Sequence, residues 1–120
     1  MASQQRLICL AGDLAEGGDG VRFTVRRQGC DVPAFVVRWL GRPRAYLNRC
    51  AHVPVELDWQ AGRFFDFSGE FLICSTHGAL YDPASGACAG GRCNGHGLVP
   101  VPVIEEAGGI YLQVDDEEDA

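Results

Sequence analysis

Apolar residues fall in short runs broken by polar or glycine-bearing stretches, and the clearest pattern has a period of two. Val21, Phe23 and Val25 alternate with Arg22, Thr24 and Arg26, which puts one set on a buried face and the other in water, as in a half-buried strand. Other runs rich in Val, Ile, Phe and Tyr predict strands near 7–10, 34–40, 44–48, 63–67, 70–73, 98–104 and 110–114. Sixteen glycines spread between them supply turns. Turns are predicted at Asp66-Phe67-Ser68-Gly69 and at Asp82-Pro83-Ala84-Ser85-Gly86. Helix is scarce, and its best candidate, 54–61, is brief. The pattern predicts a mostly β fold. No repeat or linker divides the chain, so one domain is expected over 1–114.

Composition narrows the partners. Five of the sixteen acidic residues form the run Asp115-Asp116-Glu117-Glu118-Asp119, leaving eleven acids against ten bases. The body is therefore nearly neutral, and 115–120 reads as a solvated acidic tail. No basic cluster exceeds Arg26-Arg27, so no nucleic-acid partner is expected. The run 7–10 is too short for a signal core or a membrane span, and a cytoplasmic protein without a membrane anchor is expected. Six cysteines with no export signal point to metal ligation or buried thiols rather than a disulfide framework.

The chemistry concentrates in two short motifs. Cys50-Ala51-His52 follows the run ending at Asn48, and Cys74-Ser75-Thr76-His77 follows Phe71-Leu72-Ile73. Each offers one thiolate and one imidazole just past a strand end. The 21 residues between His52 and Cys74 suffice for a strand pair to return the chain to the same end of the fold. Two loop tips side by side could then present two sulfurs and two nitrogens to a metal centre, either an iron–sulfur cluster or a closed zinc site. Cys93-Asn94-Gly95-His96-Gly97 repeats the second spacing, but it follows a glycine-rich stretch, Ala89-Gly90-Gly91, with no apolar strand to hold a ligand rigid.

The ordered pair of motifs, with the continuation Gly78-Ala79-Leu80-Tyr81-Asp82-Pro83-Ala84-Ser85-Gly86, resembles the Rieske iron–sulfur family. The resemblance implies an antiparallel β-sandwich with a small cluster-binding subdomain of two hairpin loops. It implies one 2Fe-2S cluster, with Cys50 and Cys74 on the inner iron and His52 and His77 on the outer, near-surface iron. Two neutral imidazoles in place of two thiolates remove negative charge, so the potential rises relative to an all-cysteine cluster. The zinc reading does not account for the continuation.

High-potential members of that family tie the two loops with a disulfide, and a serine and a tyrosine donate hydrogen bonds toward the sulfurs. Here Val55 and Thr76 stand where the bridging cysteines would be, Ala79 replaces the serine, and Tyr81 remains. Fewer donors to sulfur imply a low to intermediate potential. Gly78, Ala79 and Tyr81 are thus the expected neighbours of the ligands. Cys9, Cys30, Trp39 and Trp59 are expected in the core, and Cys88 and Cys93 as packed or half-exposed thiols rather than a local disulfide.

The resemblance implies a stand-alone Rieske-type ferredoxin, an electron carrier rather than a complete enzyme, moving single electrons between a flavin reductase and an oxygenase or other redox enzyme. A second reading is a non-catalytic subunit or redox sensor of a larger complex. A complete Rieske oxygenase is not expected, because only His96 would be left for its mononuclear iron site.

Overall fold

The computed structural model describes residues 4–27, 29–49, 57–58, 62–74, 78–91 and 97–114. Its elements are β1 (Gln4–Leu10), a 3₁₀ turn (Ala11–Asp13), β2 (Val21–Arg27), β3 (Cys30–Trp39), β4 (Arg42–Leu47), β5 (Leu72–Ile73), β6 (Leu80–Tyr81), β7 (Cys88–Gly90), β8 (Val103–Glu106) and β9 (Gly109–Val114). They form three antiparallel three-stranded sheets, ordered β2-β3-β4, β1-β9-β8 and β5-β6-β7. The predicted mostly β fold is therefore observed.

The middle strand β3 organises all three sheets. Ala34, Phe35, Val36 and Val37 are each fully buried, because successive strand side chains point to opposite faces and both faces of this sheet are covered. Ala34 and Val36 pack with Val25, Ala45, Leu47, Ile110 and Leu112. Phe35 and Val37 pack on the other side with Tyr46, Phe64, Leu72 and Tyr81. Phe35 stacks on Phe64 with ring centroids 4.0 Å apart. Full burial of such a ring contributes about 1.5–3 kcal/mol relative to leaving it in water. The sheet β2-β3-β4 is thus a shared wall, with a supporting sheet behind it and the small sheet β5-β6-β7 in front.

Hairpins and cross-links hold the layers in register. At the β3–β4 turn Leu40 and Gly41 both have positive φ, 52° and 77°, as a tight hairpin requires. Glu16 accepts both of their amides, at 2.7 and 2.8 Å. Arg38 on β3 donates from Nε to the Leu14 carbonyl at 2.7 Å, and from Nη1 and Nη2 to the two Glu105 oxygens at 2.8 and 3.0 Å. That fork ties the central sheet to β8.

The sequence pattern overstates two strands. Within 63–67 only Phe65 bridges to Leu72, because Asp66 turns the chain at once, accepting the Gly69 amide at 3.0 Å. The stretch 98–104 divides in two. Residues 99–101 lie along the edge of β4, through Leu47 N–H to Val99 O and Val101 N–H to Ala45 O, and only from Val103 does a strand run with β9. Pro100 and Pro102 have no amide hydrogen, which interrupts the ladder between the two halves. Of the candidate helix 54–61, only Leu57, Asp58 and their surroundings bear on the description, and neither residue is helical.

Two cysteines also depart from expectation. Cys30 is exposed rather than in the core, because it is the first residue of β3, beside the turn from β2. Cys88 is disulfide-bonded, where a thiol was expected. Cys9 and Cys30 are free. Trp39 is half-buried and stacks on Phe65 at 5.7 Å.

Candidate metal centre

Of the four expected ligands the described residues include Cys74; Cys50, His52 and His77 lie outside them, as do Val55, Trp59, Thr76, Cys93, His96 and the tail 115–120. Among the described residues no three His, Cys, Asp or Glu side chains converge as a metal site. The framework around the two motifs is nonetheless described on both flanks.

Cys74 directly follows the short strand β5 and is fully buried. Its amide donates to Ala79 O at 2.9 Å, and its carbonyl accepts the Gly78 amide at 2.7 Å. These two bonds hold Gly78 and Ala79 against Cys74. Gly78 takes φ 73°, a left-handed conformation that glycine adopts without a Cβ penalty. Ala79 and Tyr81 are both fully buried, in the same cluster as Cys74. A buried thiol held by its own backbone, against apolar neighbours and shut off from water, suits a soft metal. The expected donor set of two cysteines and two histidines fits an iron–sulfur centre.

The strand β6 then runs into the predicted turn at 82–86. Asp82 accepts the Gly86 amide on its carbonyl at 2.7 Å and the Ala84 amide on Oδ1 at 2.7 Å. Beneath it, the Tyr46 hydroxyl donates to Pro83 O at 2.8 Å. Burial pushes that hydroxyl from 10 up to about 12. A Cβ at Gly86 would lie 2.6 Å from the Tyr46 ring. Tyr46 therefore joins the central sheet to the small sheet that carries Cys74.

Chain approaching and leaving 92–96 is braced against the same framework. Gly91, with φ 77°, lies so close that an added Cβ would sit 2.5 Å from Gly78 O and 2.9 Å from Ala79 Cα. A Cβ at Gly97 would meet Gly86 O at 2.7 Å. No side chain fits at either contact, so these glycines are required by close backbone approach.

The flanks of the first motif are held by side chains. Asn48, at the end of β4, is 1% exposed. Its Oδ1 accepts the Leu57 amide at 2.8 Å, and its Nδ2 donates to Asp58 Oδ1 at 2.9 Å. Asp58 Oδ2 accepts the Gly62 amide at 2.9 Å and lies 3.3 Å from Arg22 Nε. Sequence reasoning passed over Asn48, Asp58 and Gly91. The one available signal was a polar residue, Asn48, closing an apolar strand two positions before Cys50.

Comparison with known proteins supplies the family context. The model of the Rieske [2Fe-2S] domain matches residues 4–105. A search of curated protein sequences finds no match. Among solved structures, the ferredoxin of carbazole 1,9a-dioxygenase from Nocardioides aromaticivorans IC177 superposes with a TM-score of 0.73 at 20% identity, covering 93% of this chain and 99% of that one. A complex of reduced oxygenase and oxidised ferredoxin of carbazole 1,9a-dioxygenase matches with a TM-score of 0.68 at 23% identity, covering 91% of this chain and 92% of that one. The terminal oxygenase from Novosphingobium sp. KA1 matches with a TM-score of 0.70 at 25% identity, over 98% of this chain but 31% of the oxygenase. The same fold thus occurs as a separate ferredoxin and as about a third of an oxygenase chain.

Proposed function

Because the chain belongs to the Rieske [2Fe-2S] domain family, we propose that it carries single electrons on such a cluster from a flavin reductase to an oxygenase or a similar redox enzyme. The observation behind the carrier role is the likeness to the carbazole dioxygenase ferredoxin, which superposes with a TM-score of 0.73 over 93% of this chain and 99% of its own.

In this reading Cys50 and Cys74 would hold the inner iron, and His52 and His77 the outer one. When bound, the cluster would supply a one-electron couple. The chain's own part is to hold Cys74 still and dry. The Gly78 and Ala79 backbone bonds fix the Cys74 backbone, and buried Ala79 and Tyr81 exclude water beside it. Ala79 carries a methyl where a hydroxyl would donate to sulfur, and at 0% exposure no water replaces that donor. Without that donor the reduced, more negative cluster loses stabilisation and the oxidised one is relatively better placed. The midpoint potential is therefore expected toward the lower end, about −150 mV, of the Rieske range.

The cytoplasm is the compartment we assign, with the thiols of Cys9 and Cys30 free and Cys88 disulfide-bonded. Among the described residues no helix is long and apolar enough to cross a membrane.

Electron paramagnetic resonance of the purified, reduced protein tests the cofactor, with a rhombic Rieske signal expected and its loss in Cys74→Ser. Turnover of a carbazole-type terminal oxygenase, with this chain linking it to a flavin reductase, tests the carrier role. An iron-free protein would overturn the reading, and so would a midpoint potential well above that of the hydrogen electrode for its lower-potential part.

A further inference from the structure

The two ligand motifs are closed in different ways. At the second, Cys74 is tied by its backbone, through its N–H to Ala79 O and its carbonyl to Gly78 N–H. The first motif lies in a longer stretch, the eight residues 49–56 between Asn48 and Leu57. Both ends of that stretch meet at one carboxamide. Asn48 Oδ1 accepts the Leu57 amide at 2.8 Å while Nδ2 donates to Asp58 at 2.9 Å.

We propose that Asn48 is a positioning residue for Cys50 and His52, its buried carboxamide acting as the clasp that sets the span of the loop carrying them. The inference rests on the ligand assignment given above. Asp58 is the second half of the clasp. Its carboxylate accepts from Asn48 on one oxygen, and from the Gly62 amide, with Arg22 beside it, on the other. Because a carboxylate can only accept, it fixes which way the Asn48 amide faces, with nitrogen toward Asp58 and oxygen toward Leu57. The Asn48 backbone is pinned as well, its amide donating to Pro33 O at 2.8 Å on the central strand β3. The clasp thus refers the first ligand loop to the most buried strand of the fold.

Its chemistry permits a swap that a purely volumetric role would not predict. Asn48→Asp alone sets two carboxylates against each other where a 2.9 Å donor–acceptor contact stood. Combined with Asp58→Asn, every bond returns. The new carboxylate accepts from Leu57 and from the new amide, whose oxygen accepts from Gly62 and Arg22.

The test uses the cluster-loaded full chain. Cluster retention is followed by visible absorbance, and cluster geometry by paramagnetic resonance and midpoint potential. Asn48→Ala leaves the Leu57 amide and the Asp58 carboxylate without their partner, and cluster loss should quicken about tenfold, with displaced g values. Asn48→Asp should behave similarly, and the double swap should return retention to within about twofold of wild type with wild-type g values. Where Asn48→Ala does not accumulate, Arg22→Met, at the half-exposed end of the same network, replaces it, with a smaller displacement of the g values expected. Wild-type g values, potential and retention in Asn48→Ala, or in Arg22→Met where that replaces it, would overturn the clasp alone. So would a double swap no better than Asn48→Asp. An iron-free wild-type chain would overturn the ligand assignment and the clasp together.

Discussion

Tyr46 joins the sheet that bears Cys74 to the central sheet, and Tyr46→Phe isolates what its hydroxyl contributes. The ring stays, so packing against Phe35 and Gly86 is retained, while the 2.8 Å bond to Pro83 O is lost. The carbonyl is left without its buried donor, a loss of about 1–2 kcal/mol. In urea, followed by far-ultraviolet circular dichroism at pH 7, the unfolding midpoint should fall by about 0.5–1 M for a chain of this size. The pH dependence supplies a second arm. Burial raises the folded hydroxyl to about 12 against 10 in the open chain, so the unfolded state releases this proton first. The contribution of Tyr46 is complete below pH 10 and drains away as pH climbs from about 10 to about 12. The gap between wild type and Tyr46→Phe should therefore narrow over that window, other titrating groups cancelling in the difference. A variant as stable as wild type at pH 7, or a gap that holds constant between pH 9 and pH 11.5, would refute the reasoning.

Four further outcomes are expected. Gly91→Ala forces a methyl to within 2.5 Å of Gly78 O and should both destabilise the fold and alter the visible circular dichroism of the cluster. Gly69→Ala, with φ 72° but nothing within 4 Å, should cost only about 1 kcal/mol and leave that spectrum unchanged. The Arg38–Glu105 pair should make stability acid-sensitive. Hydrogen bonds from Arg38 lower the Glu105 carboxyl below its usual range, so the pair's contribution is present above the open-chain carboxyl value and disappears as pH falls through the folded one. Urea midpoints of Arg38→Ala should lie lower at pH 7 and show a shallower acid decline. For the thiols, burial, with Asp13 adding to it, pushes Cys9 up, while Cys30 is exposed. Iodoacetamide at pH 8 should label Cys30 before Cys9, and Cys88 only after a disulfide reductant, as peptide mass mapping will report.

The sequence by itself determined the class of fold and the family. Alternation at Val21, Phe23 and Val25 appears as β2, whose side chains are half-buried at the first two positions and buried at the third, because period two is a property of one strand and one face. The two Cys-x-His-type motifs are likewise local, a strand followed by two donors, and they carried the family resemblance without any tertiary contact. Strands β6 and β7 were not legible, since two or three residues leave no period to read. Asn48 and Gly91 were silent for a related reason. One gains its role from Leu57 and Asp58, and the other from the approach of Gly78, contacts that exist only once distant segments meet. Cys30 lies in an apolar neighbourhood of the chain yet in water in the fold, because burial depends on which layers cover a strand and where that cover ends. The family motifs are written residue by residue, whereas the contacts that brace the chain on either side of them are decided by the packing of three sheets around β3.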